Sequence, residues 1–204
     1  MIEIIQAAGW PIWPIILCSI VALGIIGERA WSLRQSIVAP KELLPRVVKE
    51  FQQHGVTQEM LDRLSGHSPL GRIFAAGLRN VKSSREIMKE SIEESGRSVT
   101  TELGRFLTTL GTIATMAPLL GLLGTIIGMI EIFGAQTGGS GIANPQQLAH
   151  GISVALYNAA FGIIVAVPAV IFYRFFRAKV DTLVVEMEQQ AIKLVEVVHG
   201  EREV

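Results

Sequence analysis

None of the eighteen Lys and Arg residues of this chain lies in residues 1–28 or 106–173. Thirteen fall between Arg29 and Arg105, and five between Arg174 and Arg202. The stretches without basic residues are also the apolar ones, so charge and hydrophobicity divide the chain at the same places. Cytoplasmic loops retain Lys and Arg close to membrane spans, whereas short translocated loops lack them. The pattern therefore predicts a membrane protein with its N-terminus outside and its C-terminus inside.

The apolar stretches are long enough for that. Ala7 to Gly27 and Phe106 to Ile130 are uncharged, and Ile132 to Tyr173 contains no Asp, Glu, Lys or Arg. About 20 helical residues cross the ~30 Å hydrocarbon core. The last stretch is too long for one crossing and divides at Gly138-Gly139-Ser140-Gly141 and Asn144-Pro145, a turn followed by a helix start. Three spans result, about Trp10 to Trp31, Phe106 to Phe133 and His150 to Tyr173. The expected organisation is a periplasmic N-terminus and first span (1–31), a cytoplasmic helical loop (32–105), a second span (106–133), a periplasmic loop (134–149), a third span (150–173) and a cytoplasmic C-terminal helix (174–204).

The first span does not read as a cleaved secretory signal. Signals open with basic residues, whereas here the only early charge is Glu3 and the positive charges, Arg29 and Arg34, follow the span. Trp10 and Trp31 lie about 32 Å apart at helical rise, one indole for each interface. A mean hydropathy of +0.43 is too apolar for an ordinary soluble domain. Balanced acidic and basic counts offer no basic surface for nucleic acid. The single cysteine, Cys18, falls within the first span and reads as a small hydrophobe.

The cytoplasmic mass reads as helical. Met88, Ile92, Ser95, Val99, Leu103, Phe106 and Leu110 recur at three and four residues, a stripe expected to run into the second span without interruption. The third span continues likewise through Phe176, Val180, Leu183, Met187, Ala191, Leu194 and Val198. Each seam needs a packing partner within or between subunits. The fold class is thus all-α: an integral membrane protein with three transmembrane helices, two of them extended into the cytoplasm, assembling as an oligomer.

Enzyme chemistry is not visible. The chain has no HExxH, CxxC or GxxxxGK[ST] pattern, and His54, His67, His150 and His199 lack metal-ligand spacing. No nucleophile stands beside a base, and no cofactor or metal is expected. The informative residues are the small and polar ones within the spans. Thr108, Thr112 and Thr115 share a face, and Pro118 removes a backbone donor. Gly121, Gly124 and Gly128 permit close approach of another helix. The third span carries Gly151, Ala155, Ala159, Gly162, Ala166 and Ala169, a stripe that either admits a neighbouring backbone or lines a narrow channel. Threonine in a membrane helix also commonly bonds its own i−4 carbonyl, which is the plainer reading of Thr108 or Thr109.

The segments Ala117-Pro118-Leu119-Leu120-Gly121-Leu122-Leu123-Gly124-Thr125, Gly151-Ile-Ser-Val-Ala-Leu and Gly162-Ile-Ile-Val-Ala-Val-Pro168-Ala resemble those of the ExbB/TolQ/MotA group of ion-driven motor subunits. The three-span order, outside N-terminus and large first inside loop are similar to ExbB or TolQ. Ser19 to Trp31 with Glu28-Arg29 looks most like ExbB. The resemblance implies a homo-oligomeric ring, typically a pentamer, in the bacterial inner membrane. That ring would surround the single-span helices of an ExbD- or TolR-like partner whose intramembrane Asp carries protons, with motion delivered to a TonB-like protein. It also implies that Pro118 and Thr125 face the central pore, joined by Thr112, Thr115 and the Ala159 position, with Arg97, Glu102 and Arg105 near the cytoplasmic mouth.

Two positions depart from the family pattern. Val154 stands where ExbB and TolQ usually carry Glu, and Ala159 where they usually carry a pore-facing Thr. Asn158 is adjacent to Ala159 but turned by about 100°. The expected pathway is therefore less polar, and direct sodium coordination is disfavoured because hard cations want oxygen ligands. Two other readings compete with the motor subunit that energises TonB-dependent transport. One is a TolQ-like subunit serving envelope integrity, and the other a non-conducting oligomeric scaffold, which Val154, Ala159 and the small-residue stripe would serve equally well.

Overall fold

The computed structural model of the chain describes residues 8–136 and 145–200. Glu3 and the Gly138–Gly141 turn read from the sequence lie outside the described residues. Those residues form helices α1 (Ile12–Ser32), α2 (Gln35–Val38), α3 (Leu43–His54), α4 (Gln58–His67), α5 (Pro69–Arg79), α6 (Arg85–Gly104), α7 (Leu107–Gln136) and α8 (Pro145–Val198). The all-helical reading holds for them. Three helical segments, Ile12–Ser32, Arg85–Gly134 and Leu148–Val198, are long and apolar enough to cross a membrane. The first begins at Ile12 rather than Trp10, directly after Pro11 and with Pro14 in its first turn, where a missing N–H costs least.

Two compact units divide between Glu28 and Arg29, between Arg105 and Phe106, and between Phe175 and Phe176. The first unit comprises the described residues up to Glu28 together with Phe106–Phe175. Its core is built from Ile12 and Ile15, from Leu107, Leu110, Ile113 and Ala117 of α7, and from Val154, Ala155, Ala166 and Ala169 of α8. The opposite helix faces carry exposed apolar residues such as Leu17, Ile20, Leu23, Leu119, Ile126, Ile163 and Ile164. Such a surface is stable only against lipid or another apolar chain.

The second unit comprises Arg29–Arg105 and the described residues from Phe176 on. Its short helices start at identifiable caps. The Thr57 hydroxyl accepts from the Met60 amide, Ser68 from Gly71 and Ser84 from Ile87. Pro69 follows its cap at the first helical position of α5. At the start of α6, a hydrogen bond from its own amide, then one from Ser84, holds the Glu86 carboxyl below its ordinary pKa. Phe74, Leu70 and Leu78 of α5 are fully buried, as are Met88 and Val99 of α6 and Leu183, Met187 and Leu194 of α8. The row read from the sequence is buried at Phe176, Val180, Leu183, Met187, Ala191 and Leu194, while Val198 at its end is half-buried.

The buried Ser68 cap supports a prediction, since its side chain is the partner of the Gly71 amide at 3.1 Å. Ser68→Ala is expected to cost about 1 kcal/mol or somewhat more by leaving that buried donor bare. A thermal or denaturant melt of the folded chain would check it, and an unchanged midpoint would contradict it.

One expectation is corrected. The stripe from Met88 to Leu110 does not continue unbroken, because α6 ends at Gly104 and α7 begins at Leu107. Arg105 is extended (φ −54, ψ 146) and Phe106 has a positive φ of 64. Phe106 is consequently 42% exposed, and Leu107, 2% exposed, takes its place in the buried row. Gly104 is a weak helix former that tolerates the departure.

Candidate functional site

Glycines on α7 meet the stripe on α8 so closely that the helices touch through backbone. A Cβ on Gly121 would stand 2.8 Å from the Asn158 carbonyl oxygen and 3.3 Å from the Cα atoms of Ala159 and Gly162. One on Gly162 would stand 2.7 Å from the Ala117 carbonyl oxygen, and one on Gly128 2.6 Å from that of Gly151. Gly124 faces the Asn158 side chain and Gly151 faces Ile132. Gly151, Ala155, Gly162, Ala166 and Ala169 are buried, whereas Ala159 is half-buried at the edge of the contact. Without side-chain volume between them, dispersion contacts and weak backbone interactions hold the pair together.

The polar groups of α7 lie off this contact, Pro118 and Thr125 on its flank and Thr112 and Thr115 farther round the helix. Pro118 and Thr125 lie seven residues apart and so share a face to within about 20°. Both are half-buried in the single chain, while Thr112 and Thr115 are exposed. Each hydroxyl donates to a carbonyl of its own helix: Thr112 to Thr108 at 2.9 Å, Thr115 to Thr112 at 2.9 Å, and Thr125 to Leu122 at 2.6 Å. A hydroxyl whose proton is so engaged offers only acceptor lone pairs outward. It can receive a hydrogen bond from a protonated carboxylic acid but has none to give a carboxylate.

No Asp, Glu, Lys or Arg lies within residues 106–130 or 148–173. Glu131 is exposed toward one end of α7. Among the described residues no group of three or more His, Cys, Asp or Glu could hold a metal ion. The three residues read as a cytoplasmic mouth lie at or beside α6, at Arg97, Glu102 and Arg105. Arg97 approaches Glu93 on its own helix at 3.7 Å, Glu102 binds Arg72 of α5 at 2.5 Å, and the Arg105 amide closes α6 on the Glu102 carbonyl.

Asn158 is a residue whose part the sequence reading missed. It is 0% exposed, and its Nδ2 donates both to the Val154 carbonyl at 2.8 Å and to the Ala8 carbonyl at 2.7 Å. Ala8 lies ahead of α1, where Gly9 turns the chain at φ 72, so its carbonyl has no helical partner within α1. A buried carbonyl must find a donor, and Asn158 supplies one. The signal was available in the spacing, because Asn158 falls on the small-residue stripe with Gly151, Ala155 and Gly162 at intervals of four, three and four.

Paired apolar spans that touch through glycine and carry hydroxyls beside the contact, with no Asp, Glu, Lys or Arg within 106–130 or 148–173, define a helical membrane protein. A family model described as the MotA/TolQ/ExbB proton channel family matches residues 65–189. The chain belongs to that family. It is 30% identical over 172 residues to the biopolymer transport protein exbB1 of Vibrio cholerae, covering 81% of this chain and 74% of the relative. It is 32% identical to the biopolymer transport protein ExbB of Aquifex aeolicus, over 63% of this chain and 80% of that one. The Tol-Pal system protein TolQ of Haemophilus influenzae is 24% identical, over 81% and 77% respectively.

Proposed function

We propose that the chain is an ExbB-like inner-membrane motor subunit. Together with an ExbD-like single-span partner it uses the proton gradient to energise TonB-dependent outer-membrane transport. The observation that carries this reading is the Pro118 and Thr125 face of α7, polar but uncharged, on a helix pair that belongs to a proton channel family. A bare ion is costly in a span, so the titratable group comes from the partner's intramembrane Asp. Thr125, Thr112 and Thr115 present acceptors to that Asp when it is protonated. This favours the neutral form in transit, at about 0.6–2 kcal/mol per hydrogen bond. Ala159 contributes no hydroxyl, and Val154 no carboxylate, so the partner's acid is the sole carrier.

In this proposal several copies, five by family resemblance, surround the partner helices. The N-terminus and residues 134–149 are periplasmic, while 32–105 and 174–204 are cytoplasmic. One charge crossing 100 mV releases about 2.3 kcal/mol, enough to bias a conformational step. The expected result for Thr125→Val, which keeps the shape and removes the acceptor, is intact assembly with partner-dependent proton flux lowered roughly threefold to tenfold. Full flux and full iron-chelate uptake in a correctly assembled variant would remove Thr125 from the path. The similarity to TolQ supports a second reading in which the same mechanism serves envelope integrity. Detergent sensitivity of a deletion strain with normal siderophore use would favour it.

A further inference from the structure

We propose that the turn leaving α1 binds the headgroup of an anionic phospholipid, with Arg34 as its cation and Trp31 as its platform. α1 is one of the helices long and apolar enough to cross a membrane, and Trp31 stands nineteen residues after Ile12. At helical rise that is about 29 Å, close to the ~30 Å of the hydrocarbon core, so Trp31 falls at a lipid–water boundary. Its indole is 64% exposed, and the Arg34 guanidinium lies over the ring, 4.4 Å from the centroid. Indoles favour that depth. Stacking holds a guanidinium in place while its N–H edge stays available to a ligand.

The backbone fixes the pair on both sides. The Arg34 amide donates to the Trp31 carbonyl at 3.3 Å, and the Arg34 carbonyl accepts from the Ile37 and Val38 amides at 2.9 and 3.0 Å. Leu33, Val38 and Ala39 are buried, whereas Trp31, Arg34 and Ile37 are exposed at intervals of three. The turn thus presents two apolar side chains with a cation between them. No Asp or Glu occurs from Arg29 to Lys41. Glu186, which reaches the turn from α8, is bound by Gln35 Nε2 at 2.5 Å. A phosphodiester offers two oxygens that the edge of a guanidinium matches bidentately, and the acyl chains beside it would cover Trp31 and Ile37. In phosphatidylcholine the lipid's own cation competes for that phosphate, whereas phosphatidylglycerol leaves it bare. The inference rests on α1 spanning the membrane and not on any ion path or partner.

The test is titration of lipid into the detergent-purified chain, with bound lipid counted by native mass spectrometry. The unmodified chain is expected to hold phosphatidylglycerol about fivefold more tightly than phosphatidylcholine, the usual gain for one cation at an anionic surface. Arg34→Gln should abolish that preference. Trp31→Leu, which keeps an apolar residue but removes the stack, should weaken it roughly twofold. Arg46→Gln, which removes an exposed cation paired with Glu42 at 2.5 Å, is the control expected to keep it. Equal affinity for the two lipids in the unmodified chain would overturn the site. So would a preference that survived Arg34→Gln, that Trp31→Leu left whole, or that fell equally in Arg46→Gln. Glycerophosphate at the lipid's concentration should displace nothing, since it offers no chains to Trp31 and Ile37. Displacement by it would assign the site to soluble phosphates and overturn the lipid reading.

Discussion

Gly121→Val is expected to force α7 and α8 apart. The first carbon of the new side chain would lie 2.8 Å from the Asn158 carbonyl oxygen and 3.3 Å from two Cα atoms. Backbone atoms cannot swing aside as the end of a long side chain can. Overpacking a tight contact costs about 1–3 kcal/mol even where side chains can yield, and here the helices themselves must move. Because Gly162 meets Gly121 itself and Gly128 meets Gly151 in the same helix pair, separation at Gly121 loosens their contacts as well. Thermal melting in detergent should fall by several degrees, and the fraction of chain that co-purifies with its partner should drop. Gly24→Val in the first span, where a Cβ meets nothing within 4 Å, is the control expected to leave both unchanged.

Asn158→Leu tests the other half of the bundle's construction. Leucine has the branching and heavy-atom count of asparagine but is bulkier and cannot donate, so the Ala8 carbonyl and the segment before α1 lose their tie. A buried polar group left without its hydrogen bond costs about 1–3 kcal/mol, and the bilayer offers no water to replace it. Protease cleavage or hydrogen exchange near residue 8 should accelerate by roughly tenfold or more, while the α7–α8 contact at Gly128 and Gly162 persists. Unaltered protection at residue 8 in a folded variant would mean that apolar packing at Ile12 and Ile15, both buried, secures that segment unaided.

Much of this architecture was legible because transfer into a bilayer penalises charge residue by residue. The two units divide at Glu28/Arg29, Arg105/Phe106 and Phe175/Phe176, within two residues of the limits of the stretches free of Lys and Arg. The long C-terminal helix was legible for a related reason, since a buried row at three- and four-residue spacing needs no knowledge of its partner. The break at Gly104–Phe106 was not. A single glycine in a good helical pattern is a weak signal, and nothing local in the sequence marks the positive φ that Phe106 adopts. The buried part of Asn158 was hidden likewise, because its second acceptor, the Ala8 carbonyl, belongs to a segment 150 residues distant.

The hydroxyl row shows the limit from the other side. Spacing alone put Thr112 and Thr115 on one face, yet it could not say where their protons go. In the structure the protons point into the helix, leaving lone pairs outward. That detail suits the face to accept from protonated acids, as the proposed function requires.

Proton flux into liposomes containing the chain with the proposed ExbD-like single-span partner tests the central claim most directly. The account predicts gradient-driven uptake that vanishes when the partner's intramembrane Asp becomes Asn and that falls in Thr125→Val. Flux that persisted without that carboxyl would contradict it, since this chain's spans would then be moving protons with no titratable group of their own.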